Sequence, residues 1–150
     1  MSEAEATGAT EIKSTATQPA RLLLAEDDLE LRKLLADVLR SDGHEVSEAR
    51  DGNELLEMLS GSPRNAAPEP FALVISDVRM PGMTAFEVLS RVQRALVDTP
   101  VILITAFGDQ TTHLRAQRLG ASRVFDKPFD FDDLRAAVHE LLRQPHRRAS

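Results

Sequence analysis

The sequence predicts an α/β protein in which one parallel sheet carries helices on both faces. Two observations carry this reading. Short apolar runs alternate with stretches of helical periodicity, in five strand–helix pairs between residues 21 and 143. Unbroken apolar runs are also how strands buried on both sides read, and several of these runs close on a polar or charged residue. In open α/β sheets the working residues sit just beyond the strands' carboxyl ends.

In chain order, the first strand is expected over 21–26 on Leu22-Leu23-Leu24-Ala25, and a helix over 28–41. Asp28 is well placed as its N-cap, and Leu31, Leu34, Leu35, Val38 and Leu39 recur in steps of three and four to form one apolar face. A strand over 44–48 and a helix over 52–60 follow. The Ser-, Gly- and Pro-rich stretch from Ser60 to Pro70 then delays the third strand, over 71–76. A helix over 84–96 leads to a strand over 100–105 on Val101-Ile102-Leu103-Ile104. The next helix, over 109–119, offers only Leu114 and Leu119 as large apolar residues, so weak anchoring and mobility are expected there. A short strand over 122–125 and a strongly periodic helix over 130–143 complete the pattern. That last stripe (Phe131, Leu134, Val138, Leu141, Leu142) is read as core.

Composition agrees. A chain of 150 residues with 42% apolar and 28% charged content suits one globular domain, able to bury roughly 70% of its unfolded surface. Residues 1–20 are read as a disordered tail, 21–143 as the domain and 144–150 as a short C-terminal tail. The net charge of −6 argues against a nucleic-acid surface. With no cysteine there is neither a disulfide framework nor a thiolate site. No apolar stretch approaches about 18 residues and no basic-then-apolar leader opens the chain, so no membrane insertion and a cytoplasmic location are expected. The four histidines show no paired ligand spacing and are read as surface residues.

The chemistry lies at the strand ends. Asp77 closes Phe71-Ala72-Leu73-Val74-Ile75-Ser76, directly before Arg79-Met80-Pro81-Gly82. Taken alone, it opens a turn as readily as it serves a reaction. Glu26-Asp27-Asp28 closes the first strand; capping needs one acid and leaves two, which gather with Asp77 if the two strands are neighbours. Such a cluster wants a hard divalent cation with oxygen ligands, Mg²⁺ by default. Thr105 ends its strand with a hydroxyl able to donate to an oxyanion. Lys127 is a plain solvated lysine when taken alone. Beside a carboxylate cluster its ammonium suits a phosphoryl group.

Acid pair, acid, Thr and Lys, each closing a separate apolar run in that order, resemble the receiver domain of bacterial two-component response regulators. The resemblance covers roughly Arg21 to Arg143. It rests on Leu24-Ala25-Glu26-Asp27-Asp28, Ser76-Asp77-Val78-Arg79-Met80-Pro81-Gly82-Met83, Ile104-Thr105-Ala106-Phe107 and Asp126-Lys127-Pro128-Phe129. Each motif is weak, and the four in order make a strong signal. The resemblance implies a flavodoxin-like sheet of order 2-1-3-4-5, with strands one and three side by side at the switch point where ligands bind. It also implies Asp77 as phosphoacceptor. Asp27 would be a direct Mg²⁺ ligand, Glu26 a ligand through water and the Arg79 carbonyl a further ligand, with Thr105 and Lys127 on the phosphoryl oxygens. The implied partners are a histidine kinase or histidine phosphotransfer protein and a downstream protein effector, with the receiver itself a monomer or weak dimer.

Three departures bear on function. Val124 stands three residues before Lys127, where the family usually carries a Tyr or Phe that swings between buried and exposed positions. Glu26 replaces the commoner Asp, and Ala85 stands where Gly is frequent. No second domain is expected after Arg143, so output is expected to lie in another protein. The leading expectation is a stand-alone receiver that accepts a phosphoryl group on Asp77 and dephosphorylates itself slowly. The alternative keeps the fold as a scaffold whose contacts ignore phosphorylation. Strand-end Asp with Mg²⁺, Thr and Lys is also similar to phosphatases of the haloacid dehalogenase class. Those need a second acid two residues after the nucleophile, where this chain has Arg79, so an enzyme is not expected.

Overall fold

The computed structural model describes residues 19–61, 71–106 and 110–144. Most of the two predicted tails and of the 60–70 stretch, as well as Phe107, Gly108 and His146, lie outside them. The elements are β1 (Arg21–Ala25), α1 (Leu29–Ser41), β2 (Glu45–Ala49), α2 (Gly52–Ser60), β3 (Leu73–Asp77) and α3 (Ala85–Arg91). A 3₁₀ turn (Gln93–Leu96), β4 (Val101–Thr105), α4 (Gln110–Arg118), β5 (Arg123–Asp126) and α5 (Phe131–Arg143) follow. All five strands pair in parallel, in the order β2-β1-β3-β4-β5. This is the strand order that the resemblance implies.

Alternate residues of each strand face opposite sides, so the sheet separates two apolar cores. Leu23, Val74 and Leu103 pack with Leu55 of α2, Phe86 and Val88 of α3 and Ala116 of α4. Leu22, Leu24, Ile75, Ile102 and Ile104 pack with Leu35 and Leu39 of α1 and with Leu134, Val138 and Leu141 of α5. The stripe on the last helix is therefore core, as its periodicity predicts. Leu24, Ile75 and Leu103 are wholly excluded from solvent, each stabilising the fold by about 1.5–3 kcal/mol. Truncating Leu103 to Ala costs about 2–5 kcal/mol, because close-packed neighbours refill the gap only in part.

Helix starts follow local chemistry. Asp28 caps α1 by accepting from the Glu30 and Leu31 amides, and Thr84 with Glu87 forms a reciprocal capping box ahead of Ala85. The helix expected over 84–96 ends early. Val92 leaves the helical region, and the tighter 3₁₀ turn after it brings Leu96 into the core beside Val92. The third strand starts two residues later than expected and includes Asp77, because its ladder with β4 continues to the pair Asp77–Ile104. Phe71 instead lies under the Arg21 guanidinium, 4.7 Å from ring centroid to Cζ.

His44 corrects the surface reading of the histidines, being only 6% exposed. Gly43, at φ 96°, ends the turn after α1 in the left-handed region and directs the chain back toward the sheet. The ring Nδ1 then accepts the Ala20 amide at 3.1 Å.

Candidate functional site

The carboxyl ends of β1, β3, β4 and β5 gather the predicted residues at one edge of the sheet. Glu26 and Asp27 follow β1 directly, and Asp77 ends the neighbouring β3. One carboxylate oxygen from each of Glu26, Asp27 and Asp77 lies within 4.8 Å of the other two. Lys127, just past β5, reaches into this group from another side of the sheet. Its Nζ is 3.2 Å from Asp77 Oδ2 and 3.4 Å from Glu26 Oε1, across 50 and 101 positions of sequence. Its own amide donates to the Thr105 carbonyl at 2.8 Å, which ties the turn to the end of β4. The Lys127–Pro128 bond is cis.

Thr105 is 2% exposed and sits one residue beyond Ile104, the ladder partner of Asp77. Arg79 is exposed, two residues past Asp77 in the loop to α3. Distances therefore unite Glu26, Asp27, Asp77 and Lys127. Thr105 joins them by strand register and Arg79 by chain adjacency.

Electrostatics mark the pocket as under tension. Burial raises the Glu26 carboxyl to about 7; the nearby Asp77 charge adds to the rise, while the Asp28 amide and Lys127 oppose it. Burial also raises Asp77, with the Asp27 charge adding and Lys127 opposing. For Lys127, burial works against the ammonium, and the attraction of Asp77 and Glu26 outweighs it, so its pKa rises. One ammonium thus pairs with two of the three carboxylates, Asp77 and Glu26. This all-oxygen set, two members buried and one exposed, has the charge and hardness that a small divalent cation needs. The chemistry of the donor set fits Mg²⁺.

Two residues outside the sequence reading hold the pocket's frame. Arg32 of α1 donates from Nη1 to the Glu26 carbonyl at 2.9 Å and from Nε to Glu48 at 3.0 Å. Glu48, on the edge strand β2, also accepts from Lys33 and Arg40. No spacing in the sequence distinguishes Arg32 from the other cations of α1, because its partners lie on a different element.

A family model of the response regulator receiver domain matches residues 22–139. The chain belongs to this family. Among curated relatives, it is 35% identical over 124 residues to the transcriptional regulatory protein TcrA of Mycobacterium tuberculosis, covering 83% of this chain and 46% of that protein. It is 31% identical over 122 residues to sporulation initiation phosphotransferase F of Bacillus subtilis, covering 81% and 93%. The chain spans about half the length of several of these relatives, TcrA included. Among solved structures, the chemotaxis response regulator CheY4 of Vibrio cholerae superposes with a TM-score of 0.71 at 28% identity, over 83% of this chain and 99% of that one. The response regulator TrrA of Thermotoga maritima, in complex with Mg²⁺ and BeF, gives 0.67 at 31% identity over 81% and 98%.

The receiver is a signalling domain rather than a classical enzyme. Receiver domains bind Mg²⁺ at an acidic pocket and interact with histidine kinases or phosphotransfer proteins. Among the described residues of this receiver, no helix is long and apolar enough to cross a membrane.

Proposed function

We propose that this receiver accepts a phosphoryl group on Asp77 from the phosphohistidine of a histidine kinase or phosphotransfer protein, and signals through protein–protein contacts. An Asp77 oxygen attacks phosphorus; the new O–P bond forms as the P–N bond breaks, and the electron pair stays on the donor's imidazole. Lys127 and Thr105 take the negative charge on the other phosphoryl oxygens. Glu26, Asp27, Asp77 and the Arg79 carbonyl would hold Mg²⁺. Bound there, Mg²⁺ offsets the repulsion between an anionic nucleophile and an anionic phosphoryl group. The observation that carries this reading is the Lys127 ammonium at 3.2 Å from Asp77 Oδ2, inside a cluster of three carboxylates. The TrrA complex with Mg²⁺ and BeF supports it.

Slow self-dephosphorylation belongs to the same reading, since exposed Ala106 beside Thr105 leaves the pocket open to water. So do a monomeric or weakly dimeric state, a separate protein effector and a cytoplasmic location. Incubation with acetyl phosphate and Mg²⁺ tests it. Intact mass should rise by one phosphoryl group, mapped to Asp77 and absent from Asp77→Ala; no mass gain, or gain at another residue, refutes it.

A second reading is favoured by Val124. It is half-buried and packs on the core shared with α2, α3 and α4, so no ring stands at that position to report phosphorylation. Here the receiver is a scaffold. A mass gain on Asp77 with no change in partner affinity supports this version.

A further inference from the structure

The first residue of α2, Gly52, is buried, and a Cβ added to it would overlap the Met83 carbonyl oxygen and come within 2.7 Å of the Met83 carbonyl carbon and Cβ. Its backbone does not require glycine. The left-handed glycines among the described residues are Gly43, Gly61, Gly82 and Gly120. The start of a helix capped by Asp51 would otherwise favour Ala over Gly. What requires a bare Cα at Gly52 is the close approach of the loop from Asp77 to α3.

That loop is fixed at its ends. The Val78 amide donates to Ile104 O at 2.8 Å, the Ala85 amide returns to Val78 O at 2.9 Å, and Val78 and Met80 are buried. Between them run Arg79 and Pro81-Gly82-Met83. Gly82, at φ 84°, has its missing Cβ toward the Asn53 side chain, 2.7 Å from Nδ2. The loop thus meets the first turn of α2 at two consecutive pairs, Gly82 against Asn53 and Met83 against Gly52. With both ends pinned, displacement of Met83 is shared among the peptides from Val78 to Ala85, that of Arg79 included.

We infer that Gly52 is a positioning residue for the metal pocket: by admitting Met83 against α2, it sets where the Arg79 carbonyl stands relative to Asp77. The inference rests on the reading above, in which that carbonyl is a Mg²⁺ ligand.

The test is calorimetric titration with Mg²⁺ alone, no phosphoryl donor present, beside thermal melts without Mg²⁺. Gly52→Ala should bind Mg²⁺ roughly tenfold or more weakly, the scale seen when a supporting partner of a ligand is lost. Gly43→Ala is the control. Its left-handed backbone makes it less stable, while open space around it should leave Mg²⁺ affinity unchanged. If Gly52→Ala does not fold, Gly82→Ala is the second variant: its left-handed φ of 84° strains a side chain there whatever the space, so the same loop shifts and Mg²⁺ binding should weaken in the same way. Wild-type Mg²⁺ affinity in a folded Gly52→Ala or Gly82→Ala protein overturns the inference and leaves the phosphoacceptor reading standing. A wild-type receiver that takes up no Mg²⁺ overturns the reading itself.

Discussion

The Lys127 ammonium stands 3.2 Å from an Asp77 carboxylate oxygen, and that single cation serves Glu26 as well. Because burial holds Asp77 above its ordinary range, its ionised form costs stability at neutral pH. Asp77→Asn removes that charge while keeping the shape. The variant should melt a few degrees higher than the wild type without Mg²⁺. Saturating Mg²⁺ should stabilise the wild type and leave the variant nearly unmoved. Equal responses in two thermal scans would contradict the pocket described above.

Glu48 collects Arg32, Lys33 and Arg40, yet only Arg32 is mostly buried, at 12% side-chain exposure. Glu48→Ala strands that guanidinium and loosens its hold on the Glu26 carbonyl. A loss of about 1–2 kcal/mol is expected, less than the number of ion pairs suggests because two of the cations are well solvated. Urea unfolding should show a lower midpoint at unchanged slope.

Acid should weaken the fold in two stages. Burial lowers the His44 pKa below 6.5, and protonation at Nδ1 would displace the Ala20 amide. The unfolded chain therefore takes up this proton first, so His44's contribution is complete above 6.5 and is lost as pH falls through the lowered value. Asp42 is held below 3.8 first by its hydrogen bonds from Arg135, at 2.7 and 3.0 Å, so its contribution is complete above 3.8 and vanishes further into acid. Denaturation midpoints followed through the acid range should show the first stage missing in His44→Gln and the second in Arg135→Gln.

Helix α4 buries only Ala116, and Leu114 is 45% exposed. Its other contacts include Arg115 over the Phe86 ring and His113 against Asp126. Its amides should exchange faster than those of α1 or α5, measured by hydrogen exchange without phosphoryl donor. Protection equal to that of α5 would rule out the weak anchoring expected from its composition.

Strand interiors and helix faces were legible because burial on both sides of a parallel strand leaves an unbroken apolar run, as in Val101-Ile102-Leu103-Ile104. The site residues were legible for a related reason: Asp77, Thr105 and Lys127 each interrupt or end such a run. Strand order came from resemblance, since periodicity says nothing about neighbours. The break at Val92 was hidden because a valine there suits helix and turn alike, and what decides is whether Leu96 reaches the core. His44 was misjudged because its inward turn depends on Gly43 and its partner is the amide of Ala20, far away in sequence. Arg32 and Glu48 were invisible for the same reason, and Gly52 owes its smallness to a carbonyl on another element.

The Asp28 residue faces two ways. Its amide donates to the Glu26 carboxylate at 3.1 Å, while its own side chain receives the first free amides of α1. Whatever draws the Glu26 carboxylate forward tugs on the peptide that begins the helix. A shift at the acidic rim is thereby passed to the N-terminus of α1, on the opposite side of the sheet from α4.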